Sequence, residues 1–599
     1  MKLPTAFACL AIWLTAPARA DDSTLELTSD VIHLRSGSLD GPAEWSEFEG
    51  STPVPEWEGE FDWEQDNEAN TETVLGSTAC LEVHQRDVKQ DWRIHLNGKE
   101  VGKLIRDENP LVFYVPLSQD DLKQGKNTFR VFSSGQEVDD ITLGPVVMHP
   151  ESQAELFNEC VVDLNVSHLD GPTPCRITII AWCGDLQQVE SFSDSTLAVR
   201  PGVIYSGTGK AKFGLPPGLY EIYAGRGFEY SVAREIVQAR AGTNELNLTI
   251  QREVPTEGYV ACDTHVHTLT YSGHGDSSIQ ERMLTLAGEG IELPIATDHN
   301  KQIDYRNTAA EMGVSSYFTP VTGNEVTTKL GHFNVFPLTP GDAIPNFKLT
   351  DWDEIQNEIA RQPESKVVIL NHARDIHSGV RPFGPLLFND SVGERYDGQP
   401  LRINAMEILN SGAIQSDPLE LTRDWMQLLN RGLNVTPIGC SDSHDVSRYI
   451  VGQGRTYIRC DDSDPAKIPI DEAVTNLLQG RVTVSYGLLT ELTVNDKYSP
   501  GETATAPDDT IRIGIRVLGP SWMKANIVRL YANGELFEEI ELDTVHVQTV
   551  PQELSDATSI NGVEIPPDST TAAIYEGVLT IDRPTFDVHL VAVALGNES

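Results

Sequence analysis

The sequence predicts a multidomain chain: a central α/β segment, read as a barrel, flanked by all-β sandwich domains. Three observations carry that expectation. Residues 255–490 alternate short apolar runs with helical patterns, the stretches on either side alternate apolar and polar residues with period two, and 599 residues suffice for roughly three to five domains. With 39% hydrophobic and 22% charged residues, the balance is that of a folded globular chain rather than a disordered or multispan one. A formal net charge of −45 argues against nucleic acid as a partner, because a polyanion repels phosphates.

Residues 1–20 read as an export signal, with Lys2 as the positive n-region, an apolar run from Ala6 to Leu14, and Ala18-Arg19-Ala20 as a small-x-small cleavage site. The expected location is exported, periplasmic or extracellular, with no transmembrane segment. Residues 21–150 read as a β-sandwich: the run ending at Leu96 leads into Asn97-Gly98, a hairpin signal, and the turns resemble those of galactose-binding-like jelly rolls. Residues 151–254 resemble an immunoglobulin- or transthyretin-like β module, with Pro216-Pro217-Gly218 before an alternating strand. Residues 491–599 repeat the β grammar around Asn533-Gly534 and close the chain with a C-terminal β-sandwich. Of the seven cysteines beyond the signal, Cys175 and Cys183 flank one extended run and sit too far apart to pair unless that run turns; Cys262 and Cys440 read as small buried thiols, with a bridge as the alternative.

The central segment carries the chemistry. Its apolar runs end in polar, metal-binding residue types: Cys262 leads to His265 and His267, Ala296 to Asp298 and His299, Val321 to Glu325, Leu370 to His372, and Cys440 to Asp442 and His444, while His332 opens a further run. Helical patterns at Ile279–Ala287, Tyr305–Met312, Trp352–Arg361 and Leu419–Asn430 lie between them, and alternation of this kind predicts parallel strands closed into an α/β barrel with the ligands at its mouth. His265 and His267, at i and i+2 on a strand, share one face and reach one ion. Nitrogen and oxygen donors without cysteine suit Zn²⁺, Mn²⁺ or Fe²⁺.

His265-x-His267-Thr268, Thr297-Asp298-His299-Asn300, Gly323-Asn324-Glu325, Asn371-His372 and Ser441-Asp442-Ser443-His444 together resemble the motifs of the PHP superfamily, named for polymerase and histidinol phosphatase. The wording from Asp263 to Asn300 is similar to its exported carbaryl-hydrolase-like branch, CehA/McbA. The resemblance implies a distorted (β/α)7 barrel with two or three divalent metal ions. One ion falls to His265, His267, Glu325 and Asp442, and a second, bridged by Glu325, to His332 and His372. A third falls to His299, His444 and His274; a plain loop histidine is the alternative for His274, because the family pattern commonly has its ligand a residue earlier, at Gly273 here.

The activity so implied is metal-dependent hydrolysis, by a metal-bridged hydroxide, of a phosphoester or of a carbamate, amide or ester bond in a small-molecule or glycan-linked substrate. Asp298 is the candidate proton shuttle or orienting carboxylate, and Arg374 the candidate binder of substrate charge, with a structural salt bridge as its alternative. Glu407, ending an interior run, is a candidate support for a ligand, and His377 is read as a loop residue. The rival function is a noncatalytic surface-polymer or carbohydrate-binding protein with the barrel as scaffold.

Overall fold

The computed structural model describes residues 24–64, 77–169, 171–376, 379–413, 417–505, 508–542, 559–560, 563–564 and 573–596. The export signal and His377 lie outside them.

The first two β modules have separate apolar cores, one built from residues 34–148 around Trp92 and Phe129, the other from residues 160–250 around Phe213 and Tyr220. Asn97 and Gly98 turn with φ of 54° and 83°, joining Trp92–Leu96 to Lys99–Lys103 as the Asn-Gly signal requires. The modules are nonetheless joined by hydrogen bonds. Leu186–Gln187 of the second module pairs in parallel with Leu111–Ser118 of the first, so one eleven-stranded sheet runs through both.

The expectation of a closed (β/α)7 barrel is overturned in the central segment. Among the described residues strand outweighs helix, 43% against 12%, and the central strands form two five-stranded mixed sheets. The first has the order Val321–Thr322, Leu293–Ala296, Tyr259–Val266, Arg455–Arg459, Val482–Ser485, and turns antiparallel after Tyr259–Val266. The second has the order Asn324–Thr327, His332–Phe336, Val367–Leu370, Ala405–Asn410, Thr436–Cys440, and its first two pairings are antiparallel.

For the pairing of Asn324–Thr327 with His332–Phe336 the cause is connection length. A parallel neighbour needs a crossover of a dozen or more residues, whereas only residues 328–331 separate Asn324–Thr327 from His332–Phe336, enough for a hairpin alone. The two sheets meet at single parallel bridges, Val266 with Ser443 and His299 with Glu325, which bring strand ends from both sheets to one place.

Helix Ile279–Gly288 is buried on nearly every side because Tyr205 and Val203 of the second β module cover the face that the central sheet does not. Its N-terminus is held by a capping box between Ser278 and Glu281. At the C-terminal end, two three-stranded sheets enclose a core of Ile513, Ile515, Val517, Val528 and Leu530. All seven cysteines from Cys80 to Cys460 are free thiols, so Cys262 and Cys440 are buried and unbridged. No helix among the described residues is long and apolar enough to cross a membrane.

Candidate metal centre

His265 lies on the Tyr259–Val266 strand and His267 one residue past its end, so both side chains leave the same face. The His265 ring is fixed from behind: its Nδ1 is 2.7 Å from Glu407 Oε1, and Glu407 Oε2 accepts from the His372 backbone N–H at 2.6 Å and from Asn410 Nδ2 at 2.9 Å. With Nδ1 committed to the carboxylate, Nε2 is the nitrogen that faces inward.

What it faces is a pair of carboxylates. His265 Nε2 is 3.2 Å from Asp442 Oδ1 and 3.4 Å from Glu325 Oε1, and His267 Nε2 is 3.1 Å from the same Asp442 oxygen. Neither Nε2 makes a hydrogen bond, although both are buried. His332 Nδ1 lies 3.1 Å from Glu325 Oε1, His372 Nε2 3.7 Å from it, and His299 Nδ1 pairs closely with Glu325 Oε2. Four overlapping sets of donors, each within 4.8 Å of one another, result: His265, His267 and Asp442; His265, Glu325 and His372; His267, His299 and His444; and, behind the His265 ring, His265, Glu407 and Cys440.

His274, read with a loop alternative, comes to the cluster: its ring stacks on His444 at 4.4 Å and on His299 at 4.9 Å. Gly275 permits this approach, since a Cβ there would lie 2.5 Å from the His444 carbonyl oxygen. Exposure rises from floor to mouth. The side chains of His265 and His267 are 0% exposed and that of Glu325 1%, whereas His299 and His444 reach 20% and 18%.

The electrostatics follow from this packing. Burial pushes Glu325 toward the neutral acid, but His299, His332 and His265 outweigh it and hold the carboxyl well below the usual range. Burial and the neighbouring His299 and His265 drive His267 down, and burial with His267 does the same to His444, so these rings stay neutral, the form that ligates. His265 goes the other way because Asp442, Glu407 and Glu325 outweigh its burial. The backbone is strained at the strand ends that present these groups: Asn300 has φ 52° and Asp442 φ 54°, left-handed values rare outside glycine.

The two residues read as catalytic are held outside the donor set. Asp298 Oδ1 accepts from Thr268 N, Thr268 Oγ1 and Ser272 Oγ, each at 2.8 Å, and Oδ2 from Tyr305 at 3.0 Å. It reaches the cluster only through Ser272, whose Oγ is 3.2 Å from His267 Nδ1, and is a positioning residue. The Arg374 guanidinium is taken up by Asp424 at 2.6 Å and Glu420 at 3.0 Å, the salt-bridge alternative.

Several supports were not read from the sequence. Arg282 is fully buried and donates to the carbonyl oxygens of His267, Ser443 and Asp445, binding two ligand loops together. Its signal was a charge among Ile279, Met283 and Leu286 on an apolar helix. Thr327 Oγ1 bonds Glu325 Oε2 at 3.0 Å and lies 2.8 Å from His299 Nδ1, and Asn371 Nδ2 donates to Glu325 Oε1 at 3.1 Å.

No family model matches the sequence, and no curated protein matches it. Among solved structures, the chain aligns with a glycosyl hydrolase family 2 member from Bacteroides cellulosilyticus DSM 14838 at 10% identity, covering 87% of this chain and 80% of that one with a TM-score of 0.17. A Bacillus anthracis TIE protein aligns at 12% identity over 42% and 44% of the two chains, TM-score 0.13. A GH2 beta-galacturonidase from Eisenbergiella tayi aligns at 14% identity over 49% and 56%, TM-score 0.15. At these scores the likenesses assign neither fold nor activity to the chain.

Proposed function

We propose that this chain is a metal-dependent hydrolase acting on a phosphoester or on a carbamate, amide or ester bond. The observation that carries the reading is the pair of buried Nε2 atoms on His265 and His267, hydrogen-bonded to nothing and aimed at the shared oxygen of Asp442. A buried ring nitrogen without a hydrogen-bond partner costs free energy unless something from outside the chain completes it. The donors are nitrogen and carboxylate oxygen, which suit a small divalent cation.

His265, His267, Glu325 and Asp442 would hold one cation, Glu325 with His332 and His372 a second, and His299 with His444 and His274 a third. Such cations supply acidified water near neutral pH and polarise a phosphoryl or carbonyl oxygen. The protein's own part is positioning. Glu407 fixes His265, Ser272 on Asp298 fixes His267, and Thr327 fixes both His299 and Glu325. The partly exposed rings of His274, His299 and His444 line the approach, so a substrate meets imidazole before the buried carboxylates. The motif resemblance to the PHP superfamily rests on the same residues and supports the same chemistry.

The test is turnover of chromogenic phosphoesters, carbamates and esters by wild type and by the double variant His265→Ala, His267→Ala after reconstitution with Mn²⁺ or Zn²⁺. Turnover of one class by wild type, lost in the folded double variant, is the expected result. Turnover equal in both variants places the chemistry elsewhere. No turnover of any class, with binding of a glycan polymer instead, favours the noncatalytic alternative.

A further inference from the structure

A second group of donors lies far from this cluster in sequence and in fold, at the junction of the first two β modules. His84, on the Ser77–Arg86 strand of the first module, meets Cys183 and Asp185, on the turn that follows the Cys175–Ala181 strand of the second. One donor atom from each lies within 4.8 Å of the others. We propose that His84, Cys183 and Asp185 form a zinc-type cation site that ties the two β modules together.

The geometry has both parts of a metal site. His84 Nδ1 is 2.5 Å from Asp185 Oδ2, while His84 Nε2 is 3.1 Å from Glu82 Oε1. Glu82 is itself anchored, its Oε2 lying 2.8 Å from His149 Nε2 and accepting from Tyr114 Oη at 2.9 Å. With Glu82 on Nε2, Nδ1 is the nitrogen that an ion would take, in place of its present hydrogen bond to Asp185.

The turn is also preset. Gly184, at φ 103°, separates Cys183 from Asp185, and the turn is pinned by Gly184 N to Ala181 O, Ala181 N to Asp185 O and Leu186 N to Pro110 O, each at 2.8 Å. Cys183 and Asp185 are thereby offered at i and i+2 without further ordering of the chain. Sulfur, nitrogen and oxygen donors suit a tetrahedral zinc-type ion and set this site apart from the nitrogen-and-carboxylate cluster. Cys183 is exposed, so a fourth position faces solvent.

The sulfur makes the site separately visible. Co²⁺ is titrated into the full-length chain under reducing conditions, and the thiolate-to-cobalt charge-transfer band in the near ultraviolet is followed. The expected band grows to saturation in wild type, persists in His265→Ala with His267→Ala, persists in Cys440→Ser, disappears in Cys183→Ser, and is displaced by Zn²⁺. Glu82→Gln should keep the band but weaken Zn²⁺ binding about 10- to 100-fold. Because Cys183 is exposed, Cys183→Ser is expected to unfold at the wild-type temperature in chelator, which separates loss of the site from loss of the fold. No band at saturating Co²⁺, or a band that survives Cys183→Ser, overturns the proposal. Neither result bears on the hydrolase reading, whose ligands include no thiol.

Discussion

Asp139 and Glu325 are both wholly buried carboxylates, and they are satisfied in opposite ways. Asp139, in the first β module, is surrounded by fixed donors: Trp92 Nε1 at 2.8 Å, Gln90 N at 2.9 Å and Lys89 Nζ at 3.1 Å. Its charge is spent within the fold. Glu325 instead faces imidazole rings, and beside it sit histidine nitrogens with no donor to accept from. Burial is equal in the two places; the difference is whether the protein supplies every partner. A buried carboxylate beside buried ring nitrogens that lack partners marks a place where something outside the chain completes the set.

The comparison can be broken in four ways. The largest effect is expected from His265→Ala with His267→Ala, which should abolish turnover and lower bound metal while leaving the two β cores intact, as read by mass spectrometry and circular dichroism. Asp139→Ala should do the reverse. It strands the Trp92 indole N–H and the Gln90 backbone N–H, costing about 3 kcal/mol of unfolding free energy in urea titration with metal content unchanged.

Glu407→Gln is the intermediate case. It loosens His265 without removing a ligand, so metal affinity should fall about 10- to 100-fold, seen by competition with a chelating dye. The smallest effect is set by pH at the contact between the second β module and the central segment. Burial opposes the charge on Glu281, but Arg200, at 2.8 Å, and Ser193 outweigh it and lower the pKa to about 2 from 4.5. A depressed carboxylate contributes stability fully above its unfolded value, so this contact should hold above pH 4.5 and be lost as pH falls toward about 2. Glu281→Gln should cost about 1.5 kcal/mol at neutral pH and flatten that acid limb of the melting temperature.

Much of the site was legible because its ligands close short apolar runs. Leu293–Ala296 and Val367–Leu370 form the strands read from the sequence, and His299 and His372 follow them. Strand direction was not legible. Period-two alternation tells which face a side chain takes and says nothing of which neighbour the strand pairs with, so the hairpin of Asn324–Thr327 with His332–Phe336 passed for two parallel strands. Arg455–Arg459, which turns the first sheet antiparallel, was missed for the same reason.

The salt-bridge alternative for Arg374 could not be chosen from the sequence, because its partners lie 46 and 50 residues on. Glu420 and Asp424, at i and i+4 of one helix, present their carboxylates on a single face toward it. The His84, Cys183 and Asp185 group was invisible in principle, since only tertiary pairing of two β modules brings a strand residue to a turn about a hundred positions away.

The central claim is that the unpaired nitrogens of His265 and His267 are completed by metal. Metal content of the chain purified without chelator, measured by mass spectrometry on Cys183→Ser and on the same variant with His265→Ala and His267→Ala added, tests it most directly. The account predicts at least two divalent ions per chain in the first protein and a loss of at least one in the second. Less than one ion per chain in the first, even after Mn²⁺ or Zn²⁺ reconstitution, or equal content in both, would contradict it.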